Sequence, residues 1–96
     1  VRTIWKFTFE LTDEPLLKMP VGAQIVHGAL LTPSSPMGQP GEFAIWAVVD
    51  DQAPTEWRRL LMRGTGHPIF DAIGPHIATV QDGPFVWHIF DLGGSR

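Results

Sequence analysis

Four histidines, His27, His67, His76 and His88, have the widest chemical reach in this sequence. Imidazole binds zinc, iron, nickel or copper, and Asp71, Asp82 or Asp91 would add a carboxylate to such a site. Two histidines and one carboxylate would leave positions open for a substrate. Yet no His-x-x-x-His pair is present, and His76 meets His88 across a hairpin in one register only. Without a compact ligand motif, separate structural histidines are the favoured reading, and no metal or cofactor is expected. The alternative is a small histidine- or metal-dependent enzyme using His67 with His76 or His88, which requires those side chains to converge.

His67 stands in Gly64-Thr65-Gly66-His67-Pro68. Amides of a glycine corner cradle anions, with His67 as acid or base. The structural account is simpler: Gly64 and Gly66 permit positive φ, Pro68 fixes the exit, and His67 bonds a loop carbonyl. No Lys-Ser/Thr follows the glycines, so this is not a P-loop, and the structural account is preferred. Asp50 and Asp51 form an adjacent acidic pair that would suit acid–base work or magnesium. Neighbours on a strand point to opposite faces, and at a strand end such residues make turns. No serine sits in a nucleophile elbow. The absence of cysteine removes disulfides, thiolate zinc sites and thiol nucleophiles.

Trp57, Arg58, Arg59 and Arg63 are the candidate binding residues. Arginine beside tryptophan is the chemistry of interface hot spots and of stacking on single-stranded nucleic acid. The plain alternative is a solvated face whose arginine stems cover apolar surface. Reversing charge at Arg58 and Arg59 is expected to weaken partner capture without unfolding the domain. Four tryptophans exceed what one small core encloses easily, so an exposed Trp46 or Trp57 would mark a contact patch. Unpaired sheet edges offer a second route, to a partner strand or to a second copy. The 7 basic and 10 acidic residues leave a net charge of −3, with the three arginines clustered in an otherwise acidic chain. Duplex binding is therefore not expected. Single-strand binding by an OB-like barrel is a weaker alternative and would be steeply salt-sensitive.

The elements that must position these residues follow a period of two. The 96 residues are 44% hydrophobic and 18% charged, too apolar for a disordered chain. The longest apolar run, residues 43–49, falls well short of the roughly 20 needed for a membrane span. No basic start leads into an apolar stretch, so no secretion signal is expected. Residues 3–11 alternate as a strand. Residues 12–19 read as a helical turn that Pro20 stops. A second strand covers 24–31, and a third covers 42–50 with apolar residues on both faces. Between them lies a mobile loop, 33–41, with three prolines and two glycines. Residues 56–63 form a fourth strand, with an amphipathic helix as competitor. Residues 69–75 read as irregular. Strands at 76–81 and 85–92 flank an Asp82-Gly83 hairpin that Pro84 lengthens. The tail, 93–96, reads as loose. The sum is an all-β, mainly antiparallel meander forming one domain over 1–92. Its form is a small barrel or a two-layer sandwich of five to six strands, with at most one or two short helical turns.

Several stretches together carry a resemblance: Arg2-Thr3-Ile4-Trp5-Lys6-Phe7, residues 19–27, Ile45-Trp46-Ala47-Val48-Val49-Asp50, the Gly64–Ile69 corner, residues 77–81, and Phe85-Val86-Trp87-His88-Ile89-Phe90. In this order and spacing the chain resembles a small family of uncharacterised phage proteins with relatives in actinobacterial genomes. The Gly-Thr-Gly-His-Pro corner and the Phe-Val-Trp-His strand are its most specific pieces, and the 33–41 loop departs from it. The resemblance implies a phage origin and a compact β-domain, and it implies no activity; residence in the host cytoplasm is the expectation that suits a chain without cysteine. The leading expectation is a non-catalytic accessory protein that binds a host or phage protein, or associates with itself through an edge strand.

Overall fold

The computed structural model describes residues 1–69 and 73–95. They form seven strands: β1 (Arg2–Glu10), β2 (Leu16–Pro20), β3 (Gln24–Thr32), β4 (Glu42–Asp50), β5 (Thr55–Gly64), β6 (His76–Asp82) and β7 (Phe85–Ser95). One sheet has the order β1-β4-β3 and the other β2-β5-β7-β6, with every pairing antiparallel. The two sheets do not close into a barrel; they stack as a sandwich. The OB-like barrel behind the single-strand-binding alternative is therefore not the architecture.

Alternation builds the core. On β4, Phe43, Ile45, Ala47 and Val49 turn inward and are fully buried. Leu60 and Met62 of β5, Met19 of β2 and Ile89 of β7 meet them from the second sheet. Each of these side chains apart from Ala47 contributes about 1.5–3 kcal/mol relative to exposure. Residues 56–63 are a strand because this alternation, paired to β2 on one side and β7 on the other, buries Leu60 and Met62 together. Gly28 lets β3 approach β6 across the sandwich: a Cβ there would lie 3.2 Å from Ala78 Cβ.

Four expectations are corrected. Residues 16–20 form a strand and not a helical turn, and no helix occurs among the described residues. Leu17 and Met19 point inward while Leu16 and Lys18 point out, a period of two too short to stand clear of the flanking prolines. The carbonyls of Pro15 and Asp13 extend this pairing, accepting from the amides of Leu60 and Met62 at 2.9 Å each. The count is therefore seven strands, and the order is not a meander: only β3–β4 and β6–β7 join neighbours in sequence. Residues 93–95 are not a loose tail, since Gly93, Gly94 and Ser95 pair with Arg59, Arg58 and Trp57. Residues 70–72, within the stretch read as irregular, and Arg96 lie outside the described residues.

The 33–41 loop is anchored at its base. Asp82, 2% exposed, accepts from the Ser34 amide at 3.0 Å and from Ser34 Oγ at 2.6 Å. Ser34 Oγ in turn accepts from the Gly41 amide at 3.0 Å. A Cβ at Gly41 would lie 2.9 Å from the Asp82 carboxylate, so the approach requires glycine. The Asp82-Gly83 pair thus does more than turn the β6–β7 hairpin. Asp82→Ala is expected to cost about 2 kcal/mol, the scale of lost hydrogen bonds to a buried charge. Urea denaturation reads that loss, and limited proteolysis reads faster cleavage within 33–41. Unchanged stability and cleavage would contradict the anchor.

Candidate functional site

The histidines divide between two surfaces. His27 lies on the first sheet against the Trp46 ring, 5.6 Å between centroids. The other three lie on the second sheet or its glycine corner. Thr79 of β6 stands directly opposite His88 of β7. The bulge between His76 and Ala78 turns His76 onto the same face as Thr79, which regular alternation would forbid at a spacing of three. A chain results. Thr65 Oγ1 is 2.8 Å from His88 Nε2, His88 Nδ1 is 3.1 Å from Thr79 Oγ1, and Thr79 Oγ1 is 3.0 Å from His76 Nε2. The chain can run in either direction, with the Thr65 hydroxyl donating to His88, His88 to Thr79 and Thr79 to His76, or all three reversed, and the Thr79 hydroxyl can also accept from both rings.

His67 is not in this chain. Its Nδ1 accepts from the Gly64 amide at 3.1 Å, and its ring meets Trp87 edge-on at 6.0 Å. The expected bond to a loop carbonyl is thus replaced by one from an amide. Gly66, with φ of 89°, occupies the third position of the turn, where a type II geometry needs positive φ. A Cβ at Gly64 would lie 2.7 Å from the His67 ring, so only glycine fits beneath it. Thr65, His67 and His88 border a cleft of about 280 Å³, with Arg63, Ile69 and Phe90 among its walls. Of the aspartates considered beside the histidines, Asp82 holds Ser34, Asp91 holds Arg58, and Asp71 lies outside the described residues. Among the described residues, no group of three or more histidines and carboxylates is placed to hold a metal ion.

The four candidate binding residues separate by face. Trp57, 47% exposed, and Arg59 lie on the outer face of β5. Lys18 pairs with Trp57 and Leu16 with Arg59 across β2–β5, which sets exposed Leu16 and Lys18 beside them. The Lys18 ammonium lies 5.5 Å from the Trp57 ring centroid, within cation–π range. Arg59 makes one exposed 3.3 Å contact with Glu14. Arg63 is largely a brace: its Nε donates to the Pro68 carbonyl at 3.2 Å, and its Nη1 to the carbonyls of Met62 at 2.9 Å and Asp13 at 3.4 Å. Trp46 is half-buried between His27 and the Lys6 ammonium, leaving Trp57 as the exposed tryptophan of the two singled out. Leu16 and Lys18 were hidden from sequence reasoning because their segment reads as a helical turn.

Arg58 is not a contact residue. It points into the sandwich, 7% exposed, with Nη1 donating to Asp91 Oδ2 at 2.9 Å and Nη2 donating to the Ala23 carbonyl. Alternation explains the split, since neighbours on a strand take opposite faces. Reversing its charge would set a carboxylate against Asp91 in the interior, so the expectation of a folded Arg58 variant is overturned. Arg58→Ala is expected to destabilise the domain by about 3–5 kcal/mol, as when one partner of a buried ion pair is removed. Arg59→Glu is expected to stay within about 0.5 kcal/mol of wild type. Urea midpoints read the difference, and equal losses at the two positions would contradict the assignment of faces.

No curated protein and no solved structure matches this chain. A family model described as Domain of unknown function (DUF7352) matches residues 1–95, nearly the whole length, and it brings no assigned activity with it. The resemblance to an uncharacterised family therefore stands at this coarser level: the chain belongs to the DUF7352 family.

Proposed function

We propose that this protein is a non-catalytic phage accessory protein that acts in the host cytoplasm by binding another protein, from host or phage. The observation that carries this reading is the exposed Trp57, set in register between Lys18 and the Leu16–Arg59 pair on the outer face of β2 and β5. Tryptophan and arginine dominate interface hot spots: tryptophan desolvates a large area with only two side-chain torsions to fix, and arginine offers a planar fork of five donors to carboxylates. The face suits a partner offering an apolar pocket rimmed by carboxylates. Wild-type protein and the Trp57→Ala variant, each tagged, are compared for capture from host lysate, with folding checked by circular dichroism. A protein held by wild type and lost at least tenfold with Trp57→Ala is the expected result, in line with a hot-spot loss of about 2 kcal/mol. Equal capture by both would contradict the assignment.

The 2.8 Å contact between Thr65 and His88 favours a second reading, a histidine-dependent enzyme with Thr65 activated by His88 and His88 oriented by Thr79. That reading requires wild type to turn over an activated ester and Thr65→Val to lose the turnover while keeping its fold. An inactive wild type, or an active Thr65→Val, would count against it.

A further inference from the structure

We infer that this chain forms a two-fold symmetric dimer by pairing β1 with β1 of a second copy, extending the three-stranded sheet across the axis. The inference is independent of the binding role given to Trp57, which lies on the other sheet.

The edges of the two sheets are β1, β3, β2 and β6. Three of them carry the devices that blunt pairing. β2 has five residues, with Pro15 before it and Pro20 at its end. β3 has two register shifts, and β6 has one. β3 and β6 also abut each other at Gly28 and Ala78. β1 is neither short nor bulged nor broken by proline: its nine residues pair with β4 in unbroken register, and its edge charges are Arg2, Lys6 and Glu10.

The direction of the free backbone groups on β1 follows from the ladder. The Val1 carbonyl accepts from the Asp51 amide, and the Leu11 amide donates to the Gly41 carbonyl. Odd-numbered residues therefore face β4. Antiparallel alternation then turns the N–H and C=O of Arg2, Ile4, Lys6, Thr8 and Glu10 away from it. The side chains at this edge are left open too. Ile4 on the outer face is 59% exposed, and Trp5 on the inner face is 41% exposed.

A second copy fits these features in a full-overlap register centred on Lys6. Arg2 then lies opposite the partner's Glu10, and does so twice by symmetry. Trp5 lies opposite the partner's Phe7, also twice, at the closely spaced non-hydrogen-bonded pairs where side chains interact most. The charge order along the strand, basic at Arg2 and acidic at Glu10, is self-complementary under a two-fold axis. Lys6 meets its own copy on the axis, one like-charge contact in an otherwise matched strand.

The test is sedimentation of the full-length chain over a range of concentrations, with five variants. Wild type is expected to show a reversible monomer–dimer equilibrium. Thr8→Pro removes an outward N–H and leaves the β4 ladder intact, so the expected result is a folded monomer. Arg2→Glu is expected to weaken the dimer about tenfold, because two opposite-charge pairs become like-charge pairs. The exchange Arg2→Glu with Glu10→Arg is expected to restore it, and Lys6→Thr to tighten it. These charge variants keep the test sharp even if Thr8→Pro folds poorly. A wild type monomeric at its highest attainable concentration would overturn the inference, as would a dimer indifferent to the charge variants. Trp57→Ala is expected to leave the dimer unchanged, so failure here and failure of the proposed binding face are separable.

Discussion

Burial of the inner face of β4 is the constraint on which this structure depends. β4 is the middle strand of its sheet, and Phe43, Ile45, Ala47 and Val49 lie at the centre of the core. With no disulfide to hold a domain of 96 residues, packing across this face must carry the fold. The second sheet supplies Met19, Leu60, Met62 and Ile89 to meet it. Its own alternation then sends Leu16, Lys18, Trp57 and Arg59 to the opposite, outer side. Core packing thus fixes the side on which these residues lie: Leu60 turned inward puts Trp57 and Arg59 on the outer face, where Leu61 is covered and Trp57 and Arg59 stay exposed.

Polar groups inside the sandwich are used as ties between distant parts of the chain. Arg58 links β5 to β7 through Asp91 and to the segment before β3 through the Ala23 carbonyl. Asp82 links the β6–β7 hairpin to the loop between β3 and β4. Each buried charge meets a charged or strongly dipolar partner, as burial demands. Arg58 Nε and Trp87 Nε1 have no hydrogen-bond partner among the described residues. The Thr65–His88–Thr79–His76 chain is different in kind. It lies on the outer sheet face, and the bulge at residue 77 assembles it.

Strand content was largely legible from period-two patterning, and so were the β3–β4 and β6–β7 hairpins, because both signals are local. Sheet order was not, because β1 pairs with β4 and β2 with β5 across long separations that no local pattern records. β2 was lost behind its prolines, and with it half of the Trp57 patch. The fate of Arg58 was readable in principle: Trp57 and Arg59 share one parity and Arg58 the other. The role of Asp82 was not, since its partner Ser34 lies 48 residues away. Nor was the His76–Thr79 contact, which depends on a bulge the local pattern does not announce.

The same packing that covers β4 leaves β1 at the rim, regular in its pairing and open along its outward backbone groups. Residue-resolved amide exchange of the full-length chain, in dilute and in concentrated solution, tests that openness most directly. The amides of Thr3, Trp5, Phe7 and Phe9, which face β4, are expected to exchange slowly at both concentrations. Those of Ile4, Lys6 and Thr8 are expected to exchange freely when dilute and to become protected when concentrated. Protection of alternate β1 amides that does not change with concentration, or no alternation in dilute solution, would contradict an open β1 edge that pairs with a second copy.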